Sequence, residues 1–183
     1  MADRLQKFID RVGLALAQTP PEDRLVPQVR EAMRELVAVD DWLPAAAARP
    51  HPEYYQQYLL HLDPAGRFCV VSFVWGPGQK TPVHDHTVWG VIGMLRGAEL
   101  ATAYRPKAGR LVPSGAAVRL EPGDVEAVSP TLGDIHQVSN ALAQQASISI
   151  HCYGADIGRV RRHVFDPSTG AVKDFVSGYA AWH

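Results

Sequence analysis

Gly78-Gln79-Lys80-Thr81-Pro82-Val83-His84-Asp85-His86 and, further along, Gly133-Asp134-Ile135-His136-Gln137-Val138-Ser139-Asn140 are the two stretches on which the reading of this chain turns. In an extended strand successive side chains point to opposite faces, so His84 and His86 project together while Asp85 between them points away. Two imidazoles on one side of a strand suit one metal ion, and His136 supplies a third. Three histidines on one face of an ion leave the other face open, which marks a catalytic rather than a structural site. An HxH pair alone equally describes two surface histidines. What favours the metal is the frame: Gly78 six residues before His84, Gly97 eleven after His86, and Gly-x-x-His-x-x-x-Asn from Gly133 to Asn140.

A chain of 183 residues is long enough for one domain with one sizeable core. Lys and Arg number 18 against 19 Asp and Glu, for a formal net charge of −1, so no basic excess invites nucleic acid or an anionic membrane surface. No apolar run approaches the roughly 20 residues of a membrane span. Met1-Ala2-Asp3-Arg4-Leu5-Gln6 opens without the basic-then-apolar pattern of a secretory signal. A soluble, cytoplasmic protein is expected. Cys69 and Cys152 each lie in a strand-like apolar run and read as buried free thiols rather than a disulfide framework.

The rest of the chain falls into two patterns. Leu5, Phe8, Ile9, Val12, Leu14, Ala15 and Leu16 recur at helical spacing until Pro20-Pro21, which predicts a first helix. A second helix begins between Glu22 and Pro27, carries Val26, Val29, Ala32, Met33, Leu36 and Val37 on one stripe, and stops before Asp40-Asp41. Leu43 to Ala48 reads as a short third helix, with Pro44 tolerated in its first turn and Pro50 ending it. From Tyr54 onward short strands are predicted at 54–62, 67–75, 89–96, 99–105, 117–120, 125–129, 135–139 and 146–153. They are separated by turns such as Asp63-Pro64-Ala65-Gly66 and Glu121-Pro122-Gly123. Strands of this length and spacing predict a mainly β fold, an antiparallel barrel or jelly roll, with the helices packed against it. The expected organisation is a single domain: a helical segment at 1–50, a barrel core at 54–153 and a C-terminal extension at 154–183.

Ser147-Ile148-Ser149-Ile150-His151-Cys152-Tyr153 alternates strictly, so Ser149, His151 and Tyr153 share one face and Ile148, Ile150 and Cys152 the other. Polar groups lining a barrel interior are costly unless they hydrogen-bond one another or a ligand. The row reads either as a satisfied interior network or as part of a site.

With both histidine stretches and their glycines in place, the chain resembles the cupin superfamily over roughly Phe68 to Tyr153, and a cupin barrel is expected. The usual first cupin motif has a glutamate shortly after HxH, whereas Trp89-Gly90-Val91 holds no acid here. That departure, with Ser149-x-His151-x-Tyr153, is similar to the thiol dioxygenases, cysteine dioxygenase and, closest, bacterial 3-mercaptopropionate dioxygenase. The resemblance implies a mononuclear non-haem Fe(II) held by His84, His86 and His136, which with O2 oxidises a small thiol to its sulfinate. It also implies that Ser149, His151 and Tyr153 form the triad beside the metal. Gly90 stands where mammalian cysteine dioxygenases carry a cysteine crosslinked to that tyrosine, so Tyr153 is expected to remain free.

Physical chemistry fits that implication. Three neutral imidazoles leave a divalent ion its full charge, which suits a soft anionic thiolate. Tyr153, held by His151, is expected to hydrogen-bond the oxidant or the substrate carboxylate and to shuttle a proton. Where cysteine-preferring relatives place a carboxylate-binding arginine, Tyr55-Gln56-Gln57-Tyr58 offers Gln57, as in relatives that prefer 3-mercaptopropionate; Gln56, Tyr58 and His61 stay open as alternatives. Glutamine brings no charge, so Arg162, in Gly158-Arg159-Val160-Arg161-Arg162, is expected to supply it, although these arginines read equally as a solvated run. His51, His61, His163 and His183 have no partner at ligand spacing and read as surface or satisfied histidines. Two other functions compete: an L-cysteine or broader thiol dioxygenase that also takes cysteamine, and a non-redox cupin using Zn or Mn as an isomerase or metabolite-binding module. The expected partners are a small thiol and O2, with no nucleic acid and no membrane; the oligomeric state stays open.

Overall fold

The structure is a computed structural model, and it describes residues 2–182. Two helices come first, α1 (Ala2–Ala17) and α2 (Glu22–Val37), followed by a single 3₁₀ turn at Ala45–Ala48. The strands are β1 (Gln56–Leu62), β2 (Cys69–Trp75), β3 (Val83–His84), β4 (Gly90–Arg96), β5 (Glu99–Lys107), β6 (Arg110–Pro113), β7 (Val118–Leu120), β8 (Val125–Val128), β9 (His136–Asn140), β10 (Ser147–Tyr153), β11 (Arg162–Phe165) and β12 (Val172–Phe175). One sheet runs β1-β2-β10-β4-β8. The other runs β12-β11-β3-β9-β5, and β5 also pairs with β6 and β7. The ladders between these strands are antiparallel, and the two sheets form the expected jelly-roll barrel.

The middle of the first sheet is buried on both faces. Every residue of β2 and of β10 is buried. Val70 and Val74 of β2, with Ile148, Ile150 and Cys152 of β10, join a core that includes Phe8, Val12, Val29, Met33 and Leu36 of the helices. Cys69, Val71, Phe73 and Trp75 point the other way, into the barrel with Tyr153. A two-sided strand therefore reads as an unbroken apolar run in which only the polar residues of β10 betray the site face.

Tertiary packing holds α2 in place. Leu25, Val26, Val29, Ala32, Met33, Leu36 and Val37 are buried along one stripe. Each large apolar side chain fully buried contributes about 1.5–3 kcal/mol, against at most about 1 kcal/mol per residue from helix propensity. The helix starts at Glu22 and so runs through Pro27. That interior proline costs about 3 kcal/mol, which the burial of Val26 and Val29 offsets. The segment expected as a third helix forms only the 3₁₀ turn: Pro44 caps it in an extended conformation and Arg49 leaves it extended.

Strands β3, β6, β11 and β12 lie outside the predicted set. Strand β3 is two residues long and follows Pro82; β6 follows the Ala108-Gly109 turn, where both residues have positive φ. Strand β11 pairs with β3, Val164 opposite His84 and Phe165 opposite Val83, so the barrel sheet continues past the expected 54–153 core into 162–175. No helix is long and apolar enough to cross a membrane, among the described residues.

Helix α2 lies against β4 where that strand has no side chain. A β-carbon on Gly93 would meet Met33 Cγ at 2.6 Å and Val37 Cγ1 at 2.8 Å. Gly93→Val is therefore expected to destabilise the protein by about 1–3 kcal/mol through overpacking, read as a lower denaturant midpoint with an unchanged slope.

Candidate metal centre

His84 ends β3 and stands opposite His136, the first residue of β9. His86 follows in the turn after β3, and the three rings come together with centroids 4.8–4.9 Å apart. One nitrogen from each lies within 4.8 Å of the others, and all three residues are buried. Burial first, then the mutual repulsion of the cluster, lowers His84 to about 3 and holds His136 well below the usual imidazole range. Those two rings are neutral at pH 7 and offer lone pairs.

The ring orientations are set from outside the cluster. His84 Nδ1 is 3.2 Å from the Pro82 carbonyl, which it can only meet as a donor, so Nε2 is left for the centre. His86 Nδ1 contacts Asp134 Oδ1 at 2.9 Å. The same carboxylate accepts the backbone N–H groups of His86 and Thr87, and Thr87 takes a left-handed φ of 60° to present its amide. Burial pushes the Asp134 carboxyl up, but these hydrogen bonds bring it below its ordinary value, and it is ionised at neutral pH. Asp85 points away as expected and binds His163, at 2.8 Å to the backbone nitrogen and 2.7 Å to the ring. In the second motif Asn140 braces the fold: its Nδ2 donates to the carbonyls of Trp75, Gly76 and Gln145.

The row on β10 is continuous. Ser149 Oγ lies 2.8 Å from His151 Nε2, and His151 Nδ1 lies 2.8 Å from the Tyr153 hydroxyl. Tyr153 stacks on His86, centroids 5.4 Å apart. Burial lowers His151 well below the imidazole range and raises the Tyr153 phenol, so both are neutral at pH 7. Gly90 is the register partner of Tyr153. A β-carbon there would stand 2.8 Å from Tyr153 Cδ1 and Cε1, so glycine gives the phenol its room.

The three histidines, His151 and Tyr153 open onto one cavity of about 170 Å³, well below the roughly 300–1,000 Å³ of sites for drug-sized ligands. Tyr55, Phe73 and Trp75 form its stacked aromatic wall. Gln57 and Arg162 both line it. The alternatives in β1 do not: Tyr58 packs among the helix-facing core and donates to the Arg49 carbonyl, and His61 lies beside Phe68 at the groove next to α1. Gln56 is not among the lining residues. Of the arginines, Arg159 and Arg161 are solvated partners of Asp156 and Asp174. Arg162 is 3% exposed and lies 4.5 Å over the Phe175 ring. Its Nη2 donates to Ser177 Oγ at 2.6 Å, its Nε has no partner, and no carboxylate pairs with it among the described residues. Gln57 Nε2 spends its hydrogens on Ser177 Oγ and the Gly178 carbonyl, at 3.1 and 2.8 Å, so Gln57 braces the 177–178 strap against Arg162. His51 stacks on Tyr54, and His183 lies outside the described residues.

The model of the cysteine dioxygenase type I family matches residues 34–166, from within α2 to β11. The chain belongs to the cysteine dioxygenase type I family. Among solved structures, a double-stranded β-helix protein from Klebsiella pneumoniae is 14% identical, with 74% of this chain and 97% of that one covered at a TM-score of 0.48. A cupin superfamily protein from Desulfitobacterium hafniense is 15% identical, covering 64% and 94% at 0.46. A cupin 2 domain-containing protein from Halorhodospira halophila is 19% identical, covering 66% and 77% at 0.49.

Within this family of thiol dioxygenases a mononuclear metal is implied, and the donor set fits one: three buried nitrogens converge, at least two of their rings are neutral, and two are fixed with Nε2 turned to a common centre. Asp134, Tyr55 and Ser177 escaped the sequence reading. Asp134 could have been found as the acid two residues before the motif histidine; nothing in the sequence marked Ser177. Asp134→Ala is expected to free the His86 ring and weaken metal binding roughly 10–100-fold, measured by titrating metal-free protein.

Proposed function

We propose that this protein is a three-histidine Fe(II) thiol dioxygenase that prefers 3-mercaptopropionate. The observation that carries the choice of substrate is Arg162, a buried cation without a counter-ion in the same small cavity as the histidines. An unpaired buried charge costs several kcal/mol, and a substrate carboxylate would supply the missing partner. No Asp or Glu lines that cavity among the described residues, so the ammonium of L-cysteine would have no anion to meet. Cysteamine, a cation without a carboxylate, would face Arg162 unscreened.

The reaction adds both atoms of O2 to sulfur, RSH + O2 giving RSO2H, so sulfur is oxidised, oxygen is reduced and no outside electron donor is needed. Iron held by His84, His86 and His136 would supply open positions for sulfur and O2 and the redox chemistry between them. The chain's own groups do the rest. Arg162 orients the carboxylate, with Ser177 and Gln57 bracing the guanidinium. The aromatic wall of Tyr55, Phe73 and Trp75 excludes water. Tyr153, kept protonated by burial and held by His151, manages the one proton the thiol gives up.

Oxygen uptake by Fe(II)-loaded protein, with the sulfinate identified, is the direct test. A higher kcat/KM for 3-mercaptopropionate than for L-cysteine is expected. If cysteine wins, the chemistry stands and the carboxylate argument falls; uptake with neither thiol points to the non-redox cupin. Arg162→Ala removes a charged hydrogen bond worth about 1.5–3 kcal/mol, so kcat/KM for 3-mercaptopropionate is expected to drop roughly 10–100-fold, mostly in KM. Tyr153→Phe is expected to lower kcat about a hundredfold, the lower end for a general acid–base group, and to alter the pH profile of turnover.

A further inference from the structure

After β12 the chain forms no further strand among the described residues, and 176–180 run as a strap from the edge of one sheet to β1, the edge of the other. On β1, Gln57 Nε2 donates to Ser177 Oγ at 3.1 Å and to the Gly178 carbonyl at 2.8 Å, and Ala180 N–H donates to the Gln57 carbonyl at 2.8 Å. The strap is also latched to the turn after β10. Gly178 N–H donates to the Gly158 carbonyl at 3.0 Å, Gly158 N–H to the Tyr179 hydroxyl at 2.9 Å, and that hydroxyl to Asp156 at 2.6 Å. A β-carbon on Gly158 would stand 2.4 Å from the Tyr179 ring, so ring and turn are in close contact. The strap is nonetheless thin, for Val176 is 56% exposed and Ser177 is exposed.

Beneath it lies Arg162. Its Nη2 donates to Ser177 Oγ at 2.6 Å, so one hydroxyl oxygen takes both Gln57 and the guanidinium and its lone pairs are filled. Phe175, the last residue of β12, covers one face of the guanidinium at 4.5 Å. Nε is sealed from solvent without an acceptor. With the strap seated, the charge has neither a counter-ion among the described residues nor full hydration, the costly state of a buried ion. With the strap lifted, water reaches it.

We propose that residues 176–180 are a gate worked by charge: the unpaired Arg162 opposes its closure, and a small carboxylate in the cavity removes that opposition and shuts it. The proposal rests on the reading of Arg162 as the carboxylate's partner and not on what then happens to the thiol.

The coupling is reciprocal. An anion that binds the closed form better than the open one shifts the strap toward closure by the same factor by which closure tightens its binding. An empty site therefore opens more often, at the seam where Gln57 and Arg162 line the cavity, and a filled one stays sealed. Val176, Ser177, Gly178, Tyr179 and Ala180 carry no charge, so an anion acts on the strap through Arg162. A segment with exposed hydrogen bonds and few buried side chains is the kind that opens without global unfolding.

Hydrogen exchange of the full-length protein without metal tests this, since propionate then has no ion to bind. Propionate is expected to slow exchange of the segment holding the Gly178 and Ala180 amides about tenfold at saturation, with the amides of α1 and α2 unchanged. Propionamide, uncharged and of the same shape, is expected to do nothing. Arg162→Met, which removes the charge and keeps the length, is expected to slow strap exchange with no ligand present, although it loses the bond to Ser177. Propionate binding that leaves the strap unchanged overturns the gate and spares the reading of Arg162. Slowing spread evenly over the protein, or an equal effect of propionamide, also overturns the gate. Failure of propionate to bind, seen as an unmoved Trp75 indole N–H resonance, overturns both. Faster strap exchange in Arg162→Met marks an arginine that only braces the strap and overturns the gate as well; if that variant fails to fold, the wild-type comparison decides alone.

Discussion

A strand buried on both faces has to serve two interiors at once, and β10 is where this protein meets that demand. Its period of two sends Ile148, Ile150 and Cys152 to the helices and Ser149, His151 and Tyr153 to the barrel. A slip of one residue against β2 and β4 would push an imidazole and a phenol into an apolar core and set isoleucine beside the histidine cluster. The helix stripe on one side and the hydrogen-bonded row on the other therefore specify the same register. Gly90 and Gly93, two positions on the neighbouring strand, keep the two sides clear: one makes room for the Tyr153 ring, the other for α2. Stability and chemistry share the strand.

The electrostatic design is sparing. Burial keeps His84, His136, His151 and Tyr153 uncharged. Asp134 keeps its charge through donors of its own, behind His86. Arg162 is the exception, a permanent cation at the cavity with one hydroxyl for company. The several kcal/mol that such a charge costs is a large fraction of the 5–15 kcal/mol that holds a domain folded. A hydrophobic residue would serve the fold better, which sets the buried guanidinium apart from every other charge in the barrel wall.

The parts legible from the amino-acid order were those whose signal is local. The stripe from Val26 to Val37, the alternation from Ser147 to Tyr153 and the glycine-framed histidines each carry their period on their face, and each element stands where those periods put it. The sequence put His84 and His86 on one extended strand, whereas β3 ends at His84 and His86 stands in the turn that follows, because two residues are too few to show a period. Strands β11 and β12 were hidden because their neighbours, not their composition, make them strands: Val172, Lys173 and Asp174 are exposed, and Arg161-Arg162 looks like a charged loop. Arg162 could be named but not separated from Arg159 and Arg161, since burial depends on which face of β11 meets β3. Gln57 lines the cavity, yet its partners, Ser177 and Gly178, come from a distant segment that no spacing rule connects to it.

The shortest strand also fixes when the site exists. Its ladder partners are β9 and β11, from well down the chain, and the strap over Gln57 comes later still. An unfinished chain emerging from synthesis holds only a loose His-x-His pair, the weak chelate of any flexible peptide. Pairings so distant in sequence form slowly, after the local ones. The three imidazoles can therefore converge only late in folding, once strands from well down the chain have closed on β3.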